Sequence, residues 1–395
     1  MAKSNSLNFK DISGYLETIS KKTSIQIESN NKKRTYIDTG IHILNACLAK
    51  SLIYGGVSNN RITVFAGPTG VGKSYLCYNI AKYAQKDGYN IIYIDTEFSV
   101  ELSDFQDYGV DTEKNFMLIR SNKVEDLKVV LTQFLDKLKE SKAKGIDIGK
   151  TIIFMDSIGQ LASSKEIEDA LEGKNKTDMS RAKAIKSLFR IINSDLGYLN
   201  IGLICTNHTY LTTDLFPQEK MSGGEGANYS ASTIVFLSKA KLKTGEEDDM
   251  DMQSGIIVTA QAKKNRLSKP KKVKFEISFG SGINRYNGLE FFCTPENFDK
   301  IGIAKVKKDV DKKTGEITYS PGSKWYVKHL DKTVYDKQLY NSKVFTKEVL
   351  EAIEPIAIEY FSYGSDEDVD AEVTMDDEFN DEFDIDNTSD EKLFD

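Results

Sequence analysis

Gly67-Pro68-Thr69-Gly70-Val71-Gly72-Lys73-Ser74 decides how the rest of this 395-residue chain is read. The stretch follows the apolar run from Arg61 to Ala66 and precedes a helical pattern from Tyr75 to Gln85. It is G-x-x-x-x-G-K-[ST] in strand–loop–helix order, the context in which this motif holds phosphate. Gly67, Gly70 and Gly72 let the backbone take positive φ, so successive N–H groups converge on phosphate oxygens. Lys73 brings a point charge for the β- and γ-phosphates and Ser74 an oxygen for Mg²⁺. The helix that begins around Tyr75 adds the partial positive charge of its N-terminus. The chain therefore reads as binding a nucleoside triphosphate with Mg²⁺.

Working outward, Asn90 to Asp95 is short, continuously apolar and rich in isoleucine, the pattern of a strand buried on both faces. It closes on Asp95-Thr96-Glu97, at the strand edge where open α/β sheets place their ligands. Phe116 to Arg120 is a third strand, and Val124 to Leu138 an amphipathic helix with Val124, Leu127, Leu131, Leu135 and Leu138 on one side. Thr151 to Asp156 is a fourth strand. Its apolar run ending in Asp is the Walker B pattern, whose carboxylate holds Mg²⁺. By itself that pattern also describes a capped strand end; about 80 residues after a phosphate loop, it points to the metal. Ile201 to Thr206 is a fifth strand closing on Asn207-His208. A polar side chain there can touch a γ-phosphate, or can merely cap the strand.

Composition narrows the class. No run of about 18 apolar residues exists, so no membrane span is expected. The start, MAKSNSLNFK, is polar and does not read as a secretory signal. Cys47, Cys77, Cys205 and Cys293 are scattered, as expected of reduced thiols, and with three histidines and no CxxC pair a zinc site is not expected. The net charge of −7 hides a segregation. Residues 365–395 carry 15 acidic side chains against one lysine, leaving residues 1–364 at +7. A basic body with an acidic tail suits either a polyanion surface with a mobile competitor or a solubilising tail.

The remaining chain is less decisive. Residues 1–35 hold a short helical pattern (Phe9 to Ile19) and an alternating stretch, Thr23 to Glu28, that suits a strand on its own sheet or on a neighbour's. Ile37 to Leu52 reads as a helix. Ser157 to Asp178 is polar, and Met179 to Ile192 is a lysine-decorated helix. Thr209 to Tyr229 reads as one long structureless loop, the kind that is usually functional. Ser232 to Ser238, Gly255 to Gln261 and Lys271 to Phe279 read as strands, the first two separated by the acidic turn Glu246 to Asp249. Lys263-Lys264-Asn265-Arg266 and Lys269 to Lys274 are the densest basic cluster. The expected architecture is α/β with a mainly parallel sheet: an arm (1–35), a core (36–290), a small C-terminal unit (291–364) and the tail (365–395).

Between about Gly55 and Leu289 the pattern resembles the RecA family of strand-exchange recombinases, most of all the UvsX-type branch of T-even-like bacteriophages. It is densest at Asp156-Ser-Ile-Gly-Gln-Leu-Ala-Ser-Ser-Lys-Glu-Ile-Glu-Asp-Ala-Leu171 and Ser180-Arg-Ala-Lys-Ala-Ile-Lys-Ser-Leu-Phe-Arg190. The resemblance implies ATP as the nucleotide. Lys73 and Ser74 bind triphosphate and Mg²⁺, Asp156 is the second-sphere metal carboxylate, and Glu97 orients and deprotonates the attacking water. His208 stands where bacterial relatives have the glutamine that senses the γ-phosphate, with a charge that depends on pH. Ala162 to Thr177 matches the first DNA loop, with Lys165, Lys174 and Lys176 as phosphate contacts, and Arg181 begins the following helix. Thr209 to Tyr229 matches the second, including Lys220, Met221, Gly223 and Gly224. Lys264 and Arg266 match the paired lysines that reach a neighbour's ATP, the second being arginine here.

The implied protein is a DNA-dependent ATPase that forms helical filaments on single-stranded DNA and pairs it with double-stranded DNA. Its implied partners are a single-strand-binding protein and a recombination mediator, in the cytoplasm of a bacterial host. A ring-forming helicase on the same core is the rival reading, separated by whether the subunit interface closes.

Overall fold

The computed structural model describes residue 18 and residues 35–173, 180–213, 216–224, 226–242 and 254–364. The expected helix over Phe9 to Ile19 (Thr18 apart), the alternating stretch Thr23 to Glu28, the acidic turn at Glu246 to Asp249 and the tail lie outside the described residues.

β1 (Tyr36–Ile37), α1 (His42–Ala49) and β2 (Val57–Ser58) lead into β3 (Ile62–Ala66) and α2 (Lys73–Lys86). β4 (Tyr89–Asp95), α3 (Leu102–Asp107), β5 (Phe116–Arg120), α4 (Val124–Ala143) and β6 (Lys150–Asp156) follow. α5 (Ser164–Leu171) and α6 (Ser180–Leu199) precede β7 (Gly202–Asn207), the hairpin β8 (Thr209–Leu211) and β9 (Glu219–Met221), and α7 (Gly226–Ser230). β10 (Thr233–Leu242), β11 (Gly255–Asn265), β12 (Lys272–Ser278) and β13 (Gly282–Ile283) complete a nine-stranded sheet of order β13-β12-β11-β10-β3-β7-β6-β4-β5. From β10 to β5 neighbouring strands are parallel; β10 to β13 pair antiparallel.

The strands are apolar on both faces because helices cover both. Phe65, Tyr93, Ile152, Phe154 and Ile204 join one buried cluster with α1 and α2. Val64, Ile94, Ile153, Met155 and Cys205, each one residue out of step, join another with α4 and α6. This period-two split of continuous apolar runs is what a doubly covered parallel sheet requires. All four cysteines are free and buried, and burial pushes the Cys47 thiol up to about 12. Among the described residues no helix is long and apolar enough to cross a membrane.

Several expected boundaries are corrected. The helix expected over Ile37 to Leu52 spans only His42–Ala49, because Tyr36–Ile37 pairs with β2. The polar stretch after Ser157 contains α5, closed at its start by a capping box in which Ser163 Oγ accepts from Glu166 N at 3.1 Å. The helix expected to end at Ile192 runs on to Leu199, whose last turns bury Leu196 and Leu199.

After α8 (Phe298–Ile301), a three-stranded sheet of β14 (Ile303–Val310), β15 (Ile317–Val327) and β16 (Lys332–Val334) is followed by α9 (Asp336–Leu339) and α10 (Lys347–Tyr360). α10 packs back onto the core: Ile353, Ala357 and Phe361 share the α1–α2 cluster, and Glu354 accepts from Leu52 N at 2.8 Å.

His42 on α1 is buried with both ring nitrogens engaged. Leu52 O, 2.9 Å away, can only accept, so Nδ1 carries the proton; Nε2 accepts from Arg285 Nε at 2.9 Å. Burial first, then the Arg285 charge, lowers its pKa to about 4. A histidine with a depressed native pKa stabilises the fold fully above its ordinary value of 6.5, and loses that contribution as pH falls towards 4. The loss amounts to about 3 kcal/mol. The His42 imidazole is therefore expected to show no NMR titration above pH 5. Urea midpoints of His42→Gln should fall less than wild type between pH 7 and 5. An imidazole titrating near 6.5, or equal falls, would refute this account.

Candidate active site

The phosphate loop leaves the carboxyl end of β3 in the middle of the sheet, tied to β7 by Gly67 N donating to Asn207 O at 3.1 Å. Gly70 and Gly72 sit at φ 71° and 90°. A Cβ at Gly67 would lie 2.5 Å from the backbone Leu237 O of β10, so that position excludes a side chain, while at Gly72 the positive φ is what disfavours one. Val71 is buried; Pro68 and Thr69 are exposed; Ser74 and Tyr75 are half-buried in the first turn of α2. Lys73 is buried, and its Nζ donates to Gly67 O at 2.9 Å and Pro68 O at 3.0 Å. Burial lowers its pKa, while the Asp156 and Glu97 carboxylates act the other way. A cleft of about 560 Å³ opens beside the loop, lined by Gly70, Gly72, Tyr75, Tyr108 and Ile277 among others. Tyr75 and Tyr108 meet edge to face with centroids 4.5 Å apart, an aromatic wall suited to a heterocyclic base.

Register aligns the acidic groups. β4 and β6 place Asp95 beside Asp156, and β3 and β7 place Ala66 beside Asn207. The Asp156 carboxylate is buried and accepts from Tyr93 OH at 2.7 Å and from Thr206 Oγ1. Two neutral donors thus fix its orientation. With the Ser74 hydroxyl it makes a sparse oxygen set, and among the described residues no group of three His, Cys, Asp or Glu could hold a metal. Such a set fits Mg²⁺, which keeps its waters and takes phosphate oxygens, better than ions that need a full protein cage.

The two carboxylates after β4 have different work. Asp95 is buried and accepts from the N–H groups of Glu97 (3.0 Å), Ser99 (3.0 Å) and Val100 (3.2 Å), shaping the turn. Glu97 projects from that turn. Its Oε1 accepts from Ser157 Oγ at 2.7 Å and lies 3.1 Å from His208 Nε2. The ends of β4, β6 and β7 thus meet at one carboxylate oxygen. Sequence reasoning named Glu97 and His208 but not their contact. It missed Ser157, Tyr93, Thr206 and Asp95 as partners, although all four lie in or beside the strand ends it had identified.

The second loop is not structureless, which corrects the expectation for Thr209 to Tyr229. β8 and β9 pair antiparallel from Thr209↔Met221 to Leu211↔Glu219, and α7 follows. Asn207 closes the hairpin's base: its Nδ2 donates to Ser222 O at 2.8 Å, and its Oδ1 accepts from Ser222 Oγ at 2.8 Å and His208 N at 2.9 Å. Lys220 is exposed on β9, whereas Met221 is buried and offers only backbone. Gly223 and Gly224 turn at φ 84° and 78°, and a Cβ at Gly224 would come 3.0 Å from Ala182 of α6. Lys165 is exposed on α5, and Arg181 donates to Gly159 O. A Cβ at Gly159 would meet Ser222 Oγ at 2.8 Å, so the turn after β6 that leads into the first loop packs against the base of the second. Lys174 and Lys176 lie outside the described residues.

Lys264 and Arg266 are not part of this constellation. Lys264 sits beside Ile234 near the carboxyl end of β11, with Nζ 2.5 Å from Asn228 O, and Arg266 is exposed just beyond it. Burial and Arg266 lower the Lys264 pKa.

The family model described as the RecA N-terminal domain matches residues 11–284. The chain is 30% identical over 350 residues to the "Recombination and repair protein" of Enterobacteria phage T4, covering 86% of this chain and 83% of that one. It is 27% identical to the "Mitochondrial DNA repair protein recA homolog" of Dictyostelium discoideum, over 63% of this chain and 52% of that one. With "Protein RecA" of Helicobacter pylori strain P12 it shares 27% over 58% of this chain and 63% of that one.

Proposed function

Because the chain belongs to the RecA N-terminal domain family, we propose that it is an ATP-dependent recombinase that polymerises on single-stranded DNA and pairs it with a homologous duplex. The observation that carries the reading is the junction at Glu97. One carboxylate oxygen touches Ser157 after the metal-site aspartate, and His208 at the root of the second loop. A nucleotide-dependent event there has a direct route to the loops.

In the proposed reaction ATP lies along the phosphate loop with its base toward Tyr75 and Tyr108. Lys73 leaves the Gly67 and Pro68 carbonyls for the β- and γ-phosphates. Ser74 and Asp156 would hold Mg²⁺, which would supply charge neutralisation for the phosphates. Glu97 accepts a proton from water, whose oxygen bonds the γ-phosphorus as the bond to the bridging oxygen breaks. His208 exchanges Glu97 for the γ-phosphate when ATP is bound and returns when phosphate leaves. Because His208 is adjacent to Asn207, that exchange pulls on the hairpin base and hence on the DNA grip. Lys165, Arg181, Lys220 and the backbone at Gly223 and Gly224 supply phosphate contacts, leaving bases free to test homology.

The test combines imaging, a strand-exchange assay and a salt series. With ATP and single-stranded DNA the protein is expected to form open helical filaments and joint molecules. Affinity should fall with log[salt] at a slope of about −0.7 per phosphate contact. Closed rings without joint molecules would move the reading to a helicase.

A further inference from the structure

Lys239 is a solvent-exposed residue of β10 whose position only the register reveals. β10 pairs with β3 from Thr233 to Phe236 and then runs on to Leu242 alongside β11 alone. This overhang passes the phosphate loop, close enough that Leu237 O touches the space a Gly67 side chain would need. From it Lys239 Nζ donates to Thr69 O at 3.2 Å and to Gly70 O at 3.0 Å. Lys73 Nζ takes the two preceding carbonyls, Gly67 O and Pro68 O. Two ammonium groups thus engage four consecutive loop carbonyls.

The geometry points to Lys239 as a positioning residue of the nucleotide site, acting through the loop backbone. In a trans peptide the C=O and the following N–H point in opposite directions. Holding the Thr69 and Gly70 carbonyls toward β10 therefore turns the N–H groups of Gly70 and Val71 away from it, into the phosphate cradle. Glycines at 70 and 72 make the loop free to adopt other conformations, so this orientation needs a restraint. Lys73 cannot supply it during turnover, since its own ammonium must leave its carbonyls for the phosphates. Lys239 engages a different pair and keeps its grip with ATP present. The interaction preorganises binding and is the same in ground and transition states.

The inference rests on the phosphate-loop reading, and its test separates the two. Lys239→Met is expected to raise KM and the Kd for ATP about 5- to 10-fold with kcat within about twofold, the signature of lost uniform binding. Lys239→Arg, which keeps a donor at that place, should recover most of the affinity. Thermal midpoints should match wild type, and Lys73→Ala should lose ATP binding in the same assay. If Lys239→Met binds ATP like wild type while Lys73→Ala does not, the role assigned to Lys239 is wrong and the loop assignment stands. A fall in kcat at unchanged KM would also overturn it, by placing the ammonium on transition-state charge. Normal ATP binding by Lys73→Ala would overturn the site itself.

Discussion

Glu97→Gln is expected to bind ATP within about threefold of wild type, assemble on single-stranded DNA, and hydrolyse ATP about 10²–10⁴-fold more slowly, the usual worth of a positioned general base. The amide keeps an oxygen that accepts from Ser157 and keeps the shape of the turn that Asp95 holds. It cannot take a proton from water. The variant should therefore stay locked on DNA in ATP, which slow dissociation would reveal. Ser157→Ala gives a graded comparison. It removes the 2.7 Å donor to Oε1 but leaves the carboxylate, so turnover should fall by only about tenfold, the effect of one lost hydrogen bond near 1.4 kcal/mol. Single-turnover quench measurements at saturating ATP and DNA decide the matter. Turnover in Glu97→Gln within tenfold of wild type would remove Glu97 from the chemistry.

The contrast between Asp95 and Glu97 shows how far the sequence could be read. Both carboxylates follow one apolar run, and strand-end position places both at the ligand edge. What separates them is backbone geometry: Asp95 turns inward and accepts three N–H groups, while Glu97 projects from the turn toward Ser157 and His208. The central strands β3, β4, β6 and β7 were legible because burial on both faces leaves uninterrupted apolar runs, and β5, half-exposed at the sheet edge, because its short run is still mostly apolar. The β8–β9 hairpin was not, because strands of three residues, such as Thr209–Leu211, are too short to show a hydrophobic period. Its order comes from Asn207, whose side chain holds Ser222 fifteen positions away. Lys239 was invisible for a related reason. An exposed lysine on a strand reads as solvated until the pairing shows that β10 outruns β3 beside the loop.

That same pairing puts Lys264 and Arg266 at the wrong end of their own subunit. Asn265 lies beside Thr233, which pairs with Thr63 at the amino end of β3, while the phosphate loop leaves its carboxyl end. From Thr233 to Lys239, whose side chain touches the loop, β10 rises about 20 Å. An arginine side chain does not bridge that distance, so within one chain neither cation reaches the triphosphate. A cation delivered from the far end of one subunit to the loop end of the next makes a head-to-tail interface that repeats along a filament. Arg266→Ala is therefore expected to cost much of the 10³–10⁵-fold that a cation supplied in trans contributes to phosphoryl transfer. Saturating ATP should not restore it, since the subunit's own loop is intact. Mixing gives the decisive signature. In an equimolar filament of Arg266→Ala and Lys73→Ala subunits, about a quarter of the interfaces join an intact loop to an intact cation. Turnover should rise from near zero in either pure variant to about that fraction of wild type, and only where DNA lets the subunits assemble. A mixture as inactive as its components, or an Arg266→Ala protein as active as wild type, would show that the cation does not act across the interface.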